Sequence, residues 1–116
     1  MRPIAIKRVY EPPSPDDGVR VLVDRVWPRG MSKDAAAVDR WMKEVAPTTA
    51  LRKWFGHAPE RWEEFARRYR EELAAHAADL GELRDLAANG RLTLVYGARD
   101  EAHNQAVVLR DVLAGK

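Results

Sequence analysis

Two short apolar runs constrain this chain most: Val19-Arg-Val-Leu-Val-Asp24 and Leu92-Thr-Leu-Val-Tyr96. Both are rich in β-branched residues, and both end where the backbone is forced to turn. Trp27-Pro28-Arg29-Gly30 follows the first and Gly97-Ala98-Arg99 the second. A continuous apolar run, rather than strict alternation, belongs to a strand buried on both faces, as in a parallel sheet covered by helices. The segment between the runs carries helical signals. The pattern therefore predicts an α/β protein: a compact three-layer fold with a small, mainly parallel sheet covered by helices.

The helical signals are local. Ser32 is a good N-cap, and the helix after it is expected to carry Val38, Trp41, Met42 and Val45 and to stop before Pro47. Thr48 or Thr49 caps a short helix holding Leu51, Trp54 and Phe55, ended by Gly56. Pro59 opens a long helix with the apolar stripe Trp62, Phe65, Tyr69 and Leu73. Glu63 with Arg67 and Glu64 with Arg68 pair on its other face. Asp79 to Ala88 forms another helical piece, stopped by Asn89-Gly90. Asp100 is read as the cap of a final helix with Ala102, Ala106, Leu109 and Leu113 inward. Ile4 to Tyr10 reads as a further strand, joined to Val19 by the proline-rich turn Glu11 to Gly18. That connection is shorter than an ordinary parallel crossover, which leaves an antiparallel hairpin open.

A length of 116 residues suits a single α/β domain spanning 1–116 and is enough to bury a core. With no cysteine there is no disulfide, thiolate ligand or cysteine nucleophile, which fits a reducing, cytoplasmic setting. Met1-Arg-Pro-Ile-Ala-Ile-Lys7 has neither the apolar run nor the cleavage site of a leader, and no stretch approaches a membrane span. A net charge of +2 is too small to imply nucleic-acid binding by itself. The charge is uneven, however. From Arg25 to Lys53 seven basic residues face three acidic ones, and all four tryptophans lie between Trp27 and Trp62.

Ligands of open α/β sheets bind beyond the carboxyl ends of the strands. Two polar clusters fall at such ends: Asp24, Arg25, Trp27, Pro28, Arg29 and Gly30 with Lys33 one turn on, and Tyr96, Gly97, Arg99, Asp100, His103 and Asn104. If the two strands are parallel, both clusters open onto one edge. Arg29, between proline and glycine, can present a planar fork to a phosphate or carboxylate, though it also reads as a plain surface cation. Asp24 also reads as a loop cap or a partner of Arg25, Trp27 as core, and Asp100 and His103 as capping partners. His57, after Trp54-Phe55-Gly56, reads as a loop histidine or a second proton carrier. A metal site is the weaker alternative: Asp24, His57, Asp100 and His103 supply suitable atoms, but no compact ligand spacing is present, nor a P-loop, dinucleotide fingerprint or nucleophile elbow, and the cofactor stays unassigned.

The runs Arg20 to Lys33, Ala46 to His57 and Tyr96 to Ala106 resemble the YeaO-like proteins, a branch of a widespread bacterial domain family of unknown function; Val23-Asp24-Arg25-Val-Trp27-Pro28-Arg29-Gly30 is the most specific part. The resemblance covers nearly the whole chain and implies a compact three-layer α/β fold with a mainly parallel sheet, including a parallel first pair. It brings no activity, substrate or catalytic residue. Where the family pattern has Lys-Asp this chain has Arg99-Asp100, which excludes a lysine nucleophile there, and it has Gly97 where alanine is common. The residues thus lead to two functional expectations, beside a third reading in which the protein has a plain stability or assembly role and these charges form internal salt networks. In one, an anionic or nucleotide-like small molecule is gripped by Arg25, Arg29, Lys33, Arg99 and Asn104 and walled by Trp27, Trp54 and Tyr96. Asp24, Asp100, His103 and His57 would then move protons or orient water. In the other, the same basic, aromatic surface binds a nucleic acid or a protein, with a steep salt dependence in the nucleic-acid case.

Overall fold

The structure, a computed structural model, describes residues 4–116. Met1 to Pro3, which open the segment read above for a leader, lie outside the described residues. Four strands form one parallel sheet: β1 (Ala5–Arg8), β2 (Val19–Leu22), β3 (Arg40–Trp41) and β4 (Leu92–Tyr96), in the order β1-β4-β2-β3. The helices are α1 (Lys33–Ala36), α2 (Thr49–Phe55), α3 (Trp62–Leu73), α4 (Ala77–Asn89) and α5 (Gln105–Leu113).

The run Leu92–Tyr96 is buried at every position because β4 is the inner strand between β1 and β2. That placement resolves the question of the first strand. β1 runs parallel to β4, with Ile6 opposite Leu94, and does not pair with β2 at all. The first pair expected from the sequence is therefore replaced by two pairings to β4. The connection from β1 to β2 is a compact crossover over residues 9–18: the Val9 N–H bonds the Tyr96 carbonyl at the end of β4, and the Val19 N–H bonds the Arg91 carbonyl at its start. The turn is held by Asp17, whose carboxylate takes Lys7 Nζ at 3.2 Å and Arg20 Nη1 at 2.6 Å. Burial works to raise the Asp17 carboxyl, but the Ser14 backbone N–H, Lys7 and Arg20 outweigh it and hold the group below its usual value.

The helix expected after Ser32 is cut to one turn. Ser32 does cap it, accepting from the Ala35 N–H at 3.0 Å, but Ala37 turns left-handed (φ 49°) and the chain leaves the helix. Val38, Trp41, Met42 and Val45 are not on a common helical face. The competing partner is the free edge of β2. Asp39 exchanges bonds with the Arg20 backbone, and the Met42 N–H reaches the Leu22 carbonyl at 2.9 Å, creating β3. The buried Arg20 guanidinium takes the carbonyls of Ala36 and Ala37, at 2.7 and 3.1 Å, at the point where α1 ends.

The long helix follows its sequence pattern. Pro59–Arg61 form a 3-10 turn leading into α3, and Phe65, Tyr69 and Leu73 enter the core. Its surface pairing differs in detail: Glu64 bridges Arg67 and Arg68, and Arg67 also meets Glu71. On the opposite side of the sheet Val9, Leu22, Ala36 and Val95 form a smaller cluster, with Trp27, Met31 and Val38 against it. Among the described residues no helix is long and apolar enough to cross a membrane.

Candidate functional site

All four strands point the same way, so the segments after β1, β2 and β4 meet at one edge of the sheet. Between them and α2 lies a cleft of about 440 Å3. Asp24, Arg25, Trp27, Pro28 and Arg29 line it from the segment after β2; Gly97, Ala98, His103, Asn104 and Gln105 line it from the segment after β4 and the start of α5. The two polar clusters, more than seventy residues apart in the chain, are in direct contact: the Gly97 N–H donates to Asp24 Oδ2 at 2.9 Å.

Asp24 is the centre of that contact. Gln105 Nε2 donates to its other oxygen, Oδ1, and the Trp41 indole N–H takes its backbone carbonyl at 2.7 Å. Burial pushes the Asp24 carboxyl up from 3.8 to about 6, while the Gly97 and Gln105 bonds and the Arg52 charge pull it back only in part. Glycine at position 97 permits the close approach, because a Cβ there would lie 2.8 Å from Asp24 Oδ2.

Arg25, expected to grip a ligand, spends its Nε and one terminal nitrogen on the carbonyls of Pro47 and Ala46, at 2.9 and 2.8 Å. It fixes the loop that leads into α2. Trp27 packs edge-on against Trp41 and donates its indole N–H to the Met31 carbonyl, so it serves as a wall. Arg29 stays exposed at the rim, where its carbonyl accepts from the Tyr10 hydroxyl at 2.9 Å.

Asp100 does not cap the final helix. The N-cap of α5 is Asn104, whose side-chain oxygen accepts from the N–H groups of Ala106 and Val107. Asp100 closes its own turn one step earlier, accepting from the N–H groups of Ala102 and His103 at 2.9 and 3.0 Å. Ala102 is exposed as a result, whereas Ala106, Leu109 and Leu113 are inward as expected. Asp100 Oδ2 lies 2.9 Å from His103 Nδ1. That bond holds the Asp100 carboxyl below its usual range, helped by the Ala102 N–H, and orients the imidazole through Nδ1. Trp62 meets the His103 ring edge-on at 5.2 Å, and Phe55 links Trp62 to His57, so both imidazoles sit on one aromatic wall.

Five residues singled out in the sequence do not line the cleft: Lys33, Trp54, Tyr96, Arg99 and Asp100. Lys33 and Arg99 are exposed elsewhere, and Tyr96 is in the core. Trp54 lies on a different surface, stacked on the Arg68 guanidinium at 4.3 Å, with Arg61 at 5.4 Å. Conversely, Tyr10, Arg52, Lys53 and Gln105 line the cleft and were not singled out. The signal for Arg52 and Lys53 was in the sequence. Leu51 and Phe55 are the buried positions of α2, which leaves the two cations facing away from the core. Among the described residues no three metal-ligating side chains gather to hold an ion.

The family model described as the inactive DUF488-N3 subclade matches residues 3–116. An uncharacterized protein of Mycobacterium tuberculosis is 50% identical over 113 residues, covering 97% of this chain and 95% of its own length. The uncharacterized protein YeaO of Escherichia coli is 44% identical over 110 residues, covering 95% of this chain and 96% of its own. No solved structure matches significantly.

Proposed function

We propose a function for this protein from one premise: the chain belongs to the inactive DUF488-N3 subclade. The geometry best supports binding of an anionic, nucleotide-like small molecule in the cleft at the carboxyl edge of the sheet. One observation carries this reading. Arg29, Arg52 and Lys53 line the cleft with no ion-pair partner among the described residues, while Asp24 is the only carboxylate there. Cations gathered in a concave site raise the local concentration of anions. A volume of about 440 Å3 falls within the range of small-molecule pockets. Phe55, Phe65 and Trp27 supply apolar wall for a ring or sugar face.

The pair Asp100–His103 and the raised Asp24 have the form of proton-handling groups. The description of the subclade as inactive favours a cleft that holds its ligand without turning it over.

Thermal-shift measurements across nucleoside monophosphates, nucleoside diphosphates and sugar phosphates test the reading. A ligand at 100 times its Kd adds about 2.7 kcal/mol of stability. We expect at least one compound to raise Tm by several degrees, and the Arg52→Ala/Lys53→Ala double variant to lose that rise. No response from any compound, or an equal response in the double variant, overturns the reading.

Binding to a single-stranded nucleic acid would use the same cations and stack its bases on free aromatic faces. Here Trp54 is covered by its own arginines, and Trp41 carries Lys43 at 5.3 Å and packs on Trp27. Salt-sensitive retention on a polyanion column that survives the double substitution would favour that reading instead.

A further inference from the structure

We infer, resting on the reading of the cleft as an anion site, that its ligand is an oxyanion bringing a hydrogen-bond donor to Asp24 (a protonated phosphate oxygen, or a hydroxyl next to the phosphate), and that bare oxyanions such as sulfate are rejected.

The inference comes from acceptor capacity. An ionised carboxylate offers about four lone-pair positions. At Asp24 two are filled, one by the Gly97 N–H and one by the Gln105 amide. No cation completes the set: among the described residues Asp24 forms no ion pair, and neighbouring Arg25 is turned to the carbonyls of Ala46 and Pro47. The carboxylate keeps unused acceptor positions in a cleft whose other formal charges are positive. An oxyanion drawn in by Arg52 and Lys53 meets Asp24 as acceptor against acceptor. That contact is repulsive unless a proton lies between the two oxygens, so the site discriminates by what it leaves unpaired.

The groups around Asp24 are known from every side. Arg52 faces it from α2, Gln105 from α5 and the Gly97 N–H from the segment after β4; Arg25 and the buried Tyr69 of α3 lie nearby. Tyr10, Arg29, Lys53, His57 and His103 complete the charged and titratable lining. With the carboxyl at about 6, Asp24 is ionised at pH 7.5 and mostly protonated at pH 5, where it becomes a donor itself and no longer repels a bare oxyanion.

Titration calorimetry at pH 7.5 with sulfate, inorganic phosphate, methyl phosphate and glycerol phosphate provides the test. In the wild type we expect phosphate or glycerol phosphate to bind about tenfold or more tightly than sulfate, and the gap to close to about twofold in Asp24→Asn. Inorganic phosphate ahead of methyl phosphate places the donor on the oxyanion; glycerol phosphate ahead of methyl phosphate places it on a hydroxyl. Sulfate does not titrate between pH 8 and pH 5. Its affinity for the wild type relative to Asp24→Asn is expected to rise about tenfold on acidification, with histidine effects cancelling in the ratio. Equal binding of sulfate and the phosphates by the wild type overturns this inference while leaving the anion site standing. So does a phosphate preference that persists in Asp24→Asn. Failure of every one of these anions to bind removes the anion site itself.

Discussion

Replacing Asp24 by asparagine should make the protein more stable at pH 8 than at pH 5 relative to the wild type. Burial raises this carboxyl from 3.8 to about 6, so the folded state holds its proton more tightly than the unfolded chain does. The associated stabilisation is fully present below the unfolded value and is lost as pH rises through about 6. The whole displacement corresponds to about 3 kcal/mol. Between pH 5 and pH 8 the change is smaller, about 1 kcal/mol, because at pH 5 the carboxyl of the unfolded chain is already largely ionised. For a domain of this size that is a Tm difference of about 5 °C. Asparagine retains an acceptor for the Gly97 N–H but sets a donor against Gln105, an offset that does not depend on pH. Urea unfolding of both proteins at pH 5, 6.5 and 8 isolates the term, since other titrations cancel in the difference unless they couple to this site. The stability of Asp24→Asn minus that of the wild type should grow by about 1 kcal/mol from pH 5 to pH 8. A difference that is flat with pH, or one that shrinks, refutes the raised titration of Asp24.

Two further substitutions test the frame that supports the site. Gly18 has a φ of 64°, and a Cβ there would lie 2.3 Å from the Arg91 carbonyl oxygen, so Gly18→Ala should cost about 3 kcal/mol or more by denaturant unfolding. Tyr69→Phe leaves the Val45 carbonyl without its buried hydroxyl donor and should cost about 1–3 kcal/mol in the same assay, with the fold retained.

Legibility in the sequence followed the range of the interactions. The runs at Val19 and Leu92, the Thr48 cap, the Gly56 stop and the stripe Phe65-Tyr69-Leu73 are local signals, and each forms the element it suggests. Residues 38–45 did not follow their helical spacing because the open edge of β2 offered ladder hydrogen bonds, a long-range term that no local pattern carries. The insertion of β4 between β1 and β2 is invisible for the same reason. At the site, Asp24, Arg29, His103 and Asn104 follow strand ends, and strand direction alone puts them on one rim; His57 follows α2 and reaches the cleft from there. Tyr96 is not on that rim, because strand-end position does not say which way a side chain turns, and its ring is in the core; Trp54 follows no strand and turns toward α3, where it meets Arg68. Arg52 and Lys53 escaped notice because α2 lies outside the strand ends, although its buried face already assigned them to the open side.

The central claim is that the cleft between Asp24, Gly97 and α2 is where an anion binds. Amide chemical shifts followed during titration with inorganic phosphate address it directly. The account predicts saturable shifts concentrated at Arg52, Lys53, Gly97 and Asn104, with α4 silent. Shifts scattered over the arginines of α3 and α4, or no saturation at any position, contradict it.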